Sequence, residues 1–140
     1  MAQRIFPMVA YEDTAAAIDW LTAAFGFTER GERYVGDDGT IGHAELDVGR
    51  GQTVMLATPS RDYQGPKRHA SSCEAAARWL DNPWVVDGLL VLVDDLEAHH
   101  ARALSAGANV IRPLEDGPDG RLYTAEDMEG HRWMFQQSGG

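Results

Sequence analysis

His43 and Glu45 stand two residues apart in a run of alternating character, Ile41 to Val48. In an extended segment the side chains at i and i+2 share a face, so an imidazole and a carboxylate would lie side by side. Such a pair can serve as a general base with its orienting carboxylate, or as the polar group that hydrogen-bonds a ligand. It reads equally as a strand histidine satisfied by its neighbour, with no ligand role. Glu126, on the equivalent later strand, can join the pair as an unconventional metal site. Arg132 is a candidate anion anchor if its strand turns it inward; the alternative is an arginine reaching solvent from a strand end. Tyr63, Trp79 and Trp84 offer faces for stacking on a planar ligand, or core aromatics beside an apolar helix. Of the remaining histidines, His99 and His100 lie on a helix. There His100 shares the stripe of Leu96 and Leu104 and reads as packed. His131 follows a turn glycine and reads as structural, and His69 as solvated.

The chain lays out the elements that must position these groups twice. Asp13 and Asp94, Gly26 and Gly107, and Gly39 and Gly120 recur at an offset of 81 residues, with Gly51 and Gly130 at 79. In each half the aspartate precedes a helical period, the first glycine closes it, and the later glycines punctuate strand-like runs. Two copies of this length describe two βαβββ units rather than a solenoid. In the first unit, Arg4 to Tyr11 reads as a strand. Asp13 then caps a helix whose Ala17, Ile18, Leu21, Ala24 and Phe25 form one stripe, ended by Gly26. Strands follow at Phe27 to Val35, Ile41 to Val48 and Thr53 to Thr58, the first two joined by a turn at Gly36 to Gly39. The second unit repeats this. Val86 to Val93 is strand-like, and Asp94 caps a helix with Glu97 at capping-box spacing. Its later strands lie near Ala108 to Pro113, Leu122 to Glu126 and Arg132 to Gln136.

The expected architecture is therefore α+β, a single domain over 1–140 with mixed sheets. Its repeat units span about 1–58 and 86–138, and a pseudo-twofold between them leaves a cleft. Residues 59–85 form a connector, with an exposed loop through Arg61 to His69 and a short helix, Ser71 to Leu80, stopped at Asn82-Pro83. The connector can act as a lid or simply cover a sheet edge.

Strand alternation assigns the cleft face. Ala44, Leu46 and Val48 belong on the helix side, which turns Ile41, His43, Glu45 and Asp47 toward the cleft. The repeat makes Leu122, Thr124 and Glu126 their counterparts, and sets Thr53, Met55 and Ala57 against Arg132, Met134 and Gln136. Phe6 and Met8, with Gly88, Leu90 and Leu92, come from the first strand of each unit. The expected ligand-binding set is Phe6, Met55, Leu90, Leu92, Thr124, Arg132, Met134 and Trp84, with His43 and Glu45 catalytic only if the protein is an enzyme. Trp133 and Phe135 belong on the helix side.

Composition narrows the function classes. A net charge of −10 argues against nucleic acid, whose phosphates need Lys and Arg, and suits a neutral or cationic ligand. The longest uninterrupted apolar run, Leu89 to Val93, is too short to span a bilayer, and Met1 to Arg4 leads into a strand without an apolar signal segment. One cysteine, Cys73, excludes an internal disulfide framework and fits a reducing cytoplasm.

The chain resembles the vicinal-oxygen-chelate superfamily of glyoxalase I, extradiol dioxygenases and bleomycin-resistance proteins. Tyr11 to Asp13, Ala24 to Phe27, Asp38 to Leu46, Val93 to Leu96, Ala106 to Ala108 and Glu126 to Trp133 carry the likeness. The resemblance implies a homodimer and a small-molecule ligand. In the family's enzymes four side chains, from the first and fourth strands of each unit, hold a divalent metal. Those positions carry Phe6, Met55, Gly88 and Met134 here, so no metal or other cofactor is expected. The leading expectation is a metal-free protein that binds an apolar or aromatic molecule. The alternative is a glyoxalase-like lyase or isomerase, either with displaced metal ligands or using His43 as general base. A third reading keeps the cleft only as a dimerisation scaffold.

Overall fold

The computed structural model of the chain describes residues 3–83 and 87–138. The helical stripe of Ala17, Ile18, Leu21, Ala24 and Phe25 is buried in α1 (Thr14–Phe25). The Asp13 carboxylate accepts the Ala16 amide at 3.0 Å to open that helix. Gly26 closes it at φ +75°, in the left-handed region that glycine enters without cost. A Cβ there would also lie 2.9 Å from the Arg102 guanidinium. Around α1 run β1 (Met8–Ala10), β2 (Thr28–Val35), β3 (Ile41–Gly49) and β4 (Gln52–Ala57), in the spatial order β1-β4-β3-β2. The second unit repeats this with β5 (Gly88–Val93), α4 (Leu96–Ser105), β6 (Asn109–Gly117), β7 (Gly120–Glu126) and β8 (Arg132–Gln137), in the order β5-β8-β7-β6. In each sheet the first strand pairs parallel with the last and the other pairings are antiparallel. The fold is thus α+β, with two four-stranded mixed sheets. No described helix is long and apolar enough to cross a membrane.

The two units share one core. Helix α1 packs on α4, and the Phe25 ring meets Phe135 at 4.7 Å and Trp133 at 5.9 Å between centroids. From α4, Arg102 donates to the carbonyls of Ala23 at 2.9 Å and Thr22 at 3.1 Å, closing the C-terminus of α1. Ala44, Leu46, Val54 and Leu56 are buried on the helix side of the first sheet, as Tyr123, Ala125, Trp133 and Phe135 are in the second.

Local departures from the expected elements have identifiable causes. The first strand is shorter than Arg4 to Tyr11. Ile41, expected on the cleft side, packs in the core beside a register shift between β2 and β3. Asp95, not Asp94, caps α4 by accepting the Ala98 amide at 3.1 Å, while Asp94 takes the Arg50 guanidinium at 2.7 Å. On α4 Leu96 and Ala103 are buried and Leu104 is exposed, so the expected stripe of Leu96, His100 and Leu104 is not the buried one. Strand β6 continues through Pro113 because it is an edge strand, where a missing N–H costs no ladder bond. In the connector, α3 (Glu74–Asp81) starts later than expected, and a further short helix, α2 (Pro66–Ala70), occupies the expected loop. Val86, the expected start of β5, and Trp84 lie outside the described residues.

His99, rather than His100, makes the defining contacts on α4. Its Nε2 lies 3.0 Å from the Phe25 carbonyl, which can only accept, so Nε2 carries the proton. Nδ1 therefore accepts from the Tyr123 hydroxyl at 2.6 Å. Burial lowers the pKa of this imidazole. The folded state thus favours the neutral ring and the unfolded chain binds more protons, so stability rises with pH across this titration. The contribution is expected in full above about pH 6.5 and lost as the pH falls through the lower folded value. Unfolding midpoints followed from pH 8 to pH 5 should show this loss in the wild type and a shallower one in His99→Gln; equal slopes would remove His99 as the cause.

Candidate functional site

The turn between β7 and β8 joins the units. Asp127 accepts four hydrogen bonds: from the Tyr11 hydroxyl at 2.6 Å, the Trp133 indole at 3.1 Å, and the amides of Glu129 and His131 at 3.0 Å each. Glu129 reaches the start of α1, accepting the Glu12 amide at 2.7 Å and the Asp13 amide at 3.1 Å. Burial pushes the Tyr11 phenol well above its usual pKa, with the Asp127 charge adding to it. Burial also raises the Glu129 carboxyl. His131 donates from Nε2 to the Ala10 carbonyl at 2.7 Å, which makes it structural. Gly130 sits at φ +95°, and a Cβ there would stand 2.9 Å from the Lys67 nitrogen that donates to the Glu129 carbonyl. The turn therefore positions α1, β1 and α2 together.

Away from this junction, a groove of about 760 Å³ is lined from both units. Phe6 and Thr53 come from the first, Leu90 and Leu92 from the second. Leu90 and Leu92 are 55% and 56% exposed and Met8 is 78% exposed, so apolar side chains stand in water on the sheet faces away from the helices. Met55 and Met134 are half-buried one strand inward, in register with Met8 and Leu90. Of the expected ligand-binding residues the groove brings together Phe6, Leu90 and Leu92, and Thr53 joins them. Thr53 is buried and its hydroxyl lies 3.3 Å from the Arg30 guanidinium.

The other site residues fall elsewhere. Thr124 is fully buried, with no accessible surface to offer a ligand. Arg132 is buried too, and its guanidinium donates to the carbonyls of Leu80 and Asn82. It closes the C-terminal end of α3, a job that replaces the expected anion anchor. His43 Nε2 lies 3.8 Å from Glu45 Oε2, with both side chains partly exposed and neither lining the groove. Asn109 occupies a Glu126 carboxylate oxygen at 2.6 Å. The metal positions hold Phe6, Met55, Gly88 and Met134: two have no donor and the thioethers are too soft for a hard cation. Among the described residues no three His, Cys, Asp or Glu side chains gather to hold an ion. These residues do not fit the family's divalent metal.

Asp127 and Glu129 escaped strand and helix periodicity because they lie in a turn, where no period assigns a face. The available signal was two carboxylates within a glycine-containing turn between strongly apolar strands.

Paired βαβββ units with a groove between them define the glyoxalase-like class. The Glyoxalase/Bleomycin resistance protein/Dioxygenase superfamily pattern matches residues 6–135, and the chain belongs to that family. The uncharacterized protein Mb0911c of Mycobacterium bovis is 34% identical over 132 residues, covering 94% of this chain and 80% of that one. TioX from Micromonospora sp. ML1 is 33% identical with a TM-score of 0.69, covering 99% of this chain and 98% of its own. TnmS3, an antibiotic binding protein from Streptomyces sp. CB03234, shares the fold at 20% identity, a TM-score of 0.65 and 99% coverage of each chain.

Proposed function

We propose that the protein is a cytoplasmic homodimer that holds an apolar or aromatic small molecule in the groove between its units, without a metal and without chemistry. The observation that carries this reading is the convergence of Phe6, Leu90 and Leu92 on one groove that fits the size of a small-molecule site, roughly 300–1,000 Å³. Exposed apolar side chains gathered in one region mark a binding surface. Met55 and Met134, half-buried on the strands that pair with β1 and β5, do not line the groove itself. The antibiotic-binding description of TnmS3 supports the same reading. A second copy of the chain would cover Ile5 and Met8, and the acidic balance suits a ligand carrying positive charge. A catalytic role for His43 draws no support from its 3.8 Å separation from Glu45 or from its place outside the groove.

The neutral fluorescent amine N-phenyl-1-naphthylamine tests the groove. The wild type and His43→Ala are expected to give the same saturable fluorescence rise, and Leu92→Glu to weaken it by about tenfold or more, because a carboxylate must then be desolvated. Equal titration of all three proteins would move the site elsewhere. Elemental analysis after dialysis should find no stoichiometric metal, and about one retained transition metal per chain would overturn the metal-free reading.

A further inference from the structure

A second cavity, of about 490 Å³, lies between the connector and the second sheet, and shares no lining residue with the groove. Tyr63 and His69 line it from the first half of the connector, Trp79 and Leu80 from α3. Asp87 immediately precedes β5 and Arg132 opens β8. The volume is again that of a small-molecule pocket.

The wall chemistry selects a ligand. Trp79 is 60% exposed on a helix with no fully buried residue, so its indole face is held in water beside the cavity. The Arg132 guanidinium keeps its charge but donates to the carbonyls at the C-terminal end of α3, whose partial negative charge offsets part of it. Asp87 is exposed and has no ion pair or side-chain hydrogen bond among the described residues. Burial raises the Tyr63 phenol, and the carboxylates of Glu129, Glu12 and Asp127 behind that wall add to it. A free carboxylate beside an open indole face favours one kind of guest, since a cation over tryptophan gains from the ring's electron-rich face.

We propose that this cavity is a second binding site, for a planar aromatic cation that stacks on Trp79 with its positive charge toward Asp87. It is independent of the groove. The three-ring cation proflavine is the probe, with 9-anthracenecarboxylate as an anion of similar width. Wild-type protein should bind proflavine saturably, bind the anion at least about tenfold more weakly, and lose proflavine affinity as salt is raised. Trp79→Ala and Asp87→Asn should each weaken proflavine about fivefold or more, and Asp87→Asn should flatten the salt dependence. Both side chains are exposed, and unchanged thermal midpoints would confirm that the variants fold. Leu92→Glu should leave the proflavine titration unchanged while losing N-phenyl-1-naphthylamine, which separates failure of this site from failure of the groove. Equal proflavine affinity in wild type, Trp79→Ala and Asp87→Asn, or loss confined to Leu92→Glu, would overturn the proposal.

Discussion

Replacing Asp127 with alanine is expected to cost about 3–5 kcal/mol of folding stability, a large share of what a domain of this size possesses. The carboxylate collects the Tyr11 hydroxyl, the Trp133 indole and the amides of Glu129 and His131, and it is almost fully buried. Alanine would leave these donors facing a cavity, and hydrogen bonds to charged groups are the costly ones to lose. Asp127→Asn should fall between alanine and wild type. Its carbonyl oxygen can still accept, but an amide NH₂ cannot receive the Trp133 N–H. Tyr11→Phe removes one donor and should cost least. Urea unfolding of the three variants should reproduce that order; an alanine variant within about 1 kcal/mol of wild type would mean the turn is not a structural hub.

The second large effect is expected at Phe135. Its ring sits 4.7 Å from Phe25, 4.1 Å from His99 and 5.3 Å from Tyr123, centroid to centroid, with no solvent exposure. Phe135→Ala should cost about 3–5 kcal/mol, the range for deleting a buried aromatic. Phe6→Ala, at the groove and 40% exposed, should change stability by only about 0.5 kcal/mol. Denaturant midpoints compare the two directly. Similar losses at both positions would reverse the assignment of core and groove faces on which the ligand-site reading depends.

Much of the fold was legible because period and punctuation agree within each unit. The stripe from Ala17 to Phe25, the Asp13 cap and the Gly26 stop define α1 from local residues alone. Alternation also placed Trp133 and Phe135 on the helix side and Met134 on the other. Where two adjacent residues had the same capacity, as Asp94 and Asp95 do at the start of α4, local reading could not choose between them. In the structure Asp95 caps the helix and Asp94 meets the distant Arg50. Helix α2 was illegible for a related reason. Its run of Lys67, Arg68 and His69 has no apolar period, and its start is docked by the Glu129 carbonyl. At the site, alternation assigned faces but not the depth of covering. It could not show Thr124 sealed off, or Arg132 drawn to carbonyls from the connector.

The capping of α1 has a consequence for the order in which the chain is made. The amides of Glu12 and Asp13 wait for Glu129, the Ala23 carbonyl for Arg102, and the Phe25 carbonyl for His99. All three partners emerge from the ribosome long after α1 itself. Helix α4 is opened within its own half, by Asp95 and by Gln137. The first repeat is thus born with polar groups that water must hold until its later twin supplies their folded partners. During synthesis it must remain provisional until residues as far along as Glu129 have left the exit tunnel.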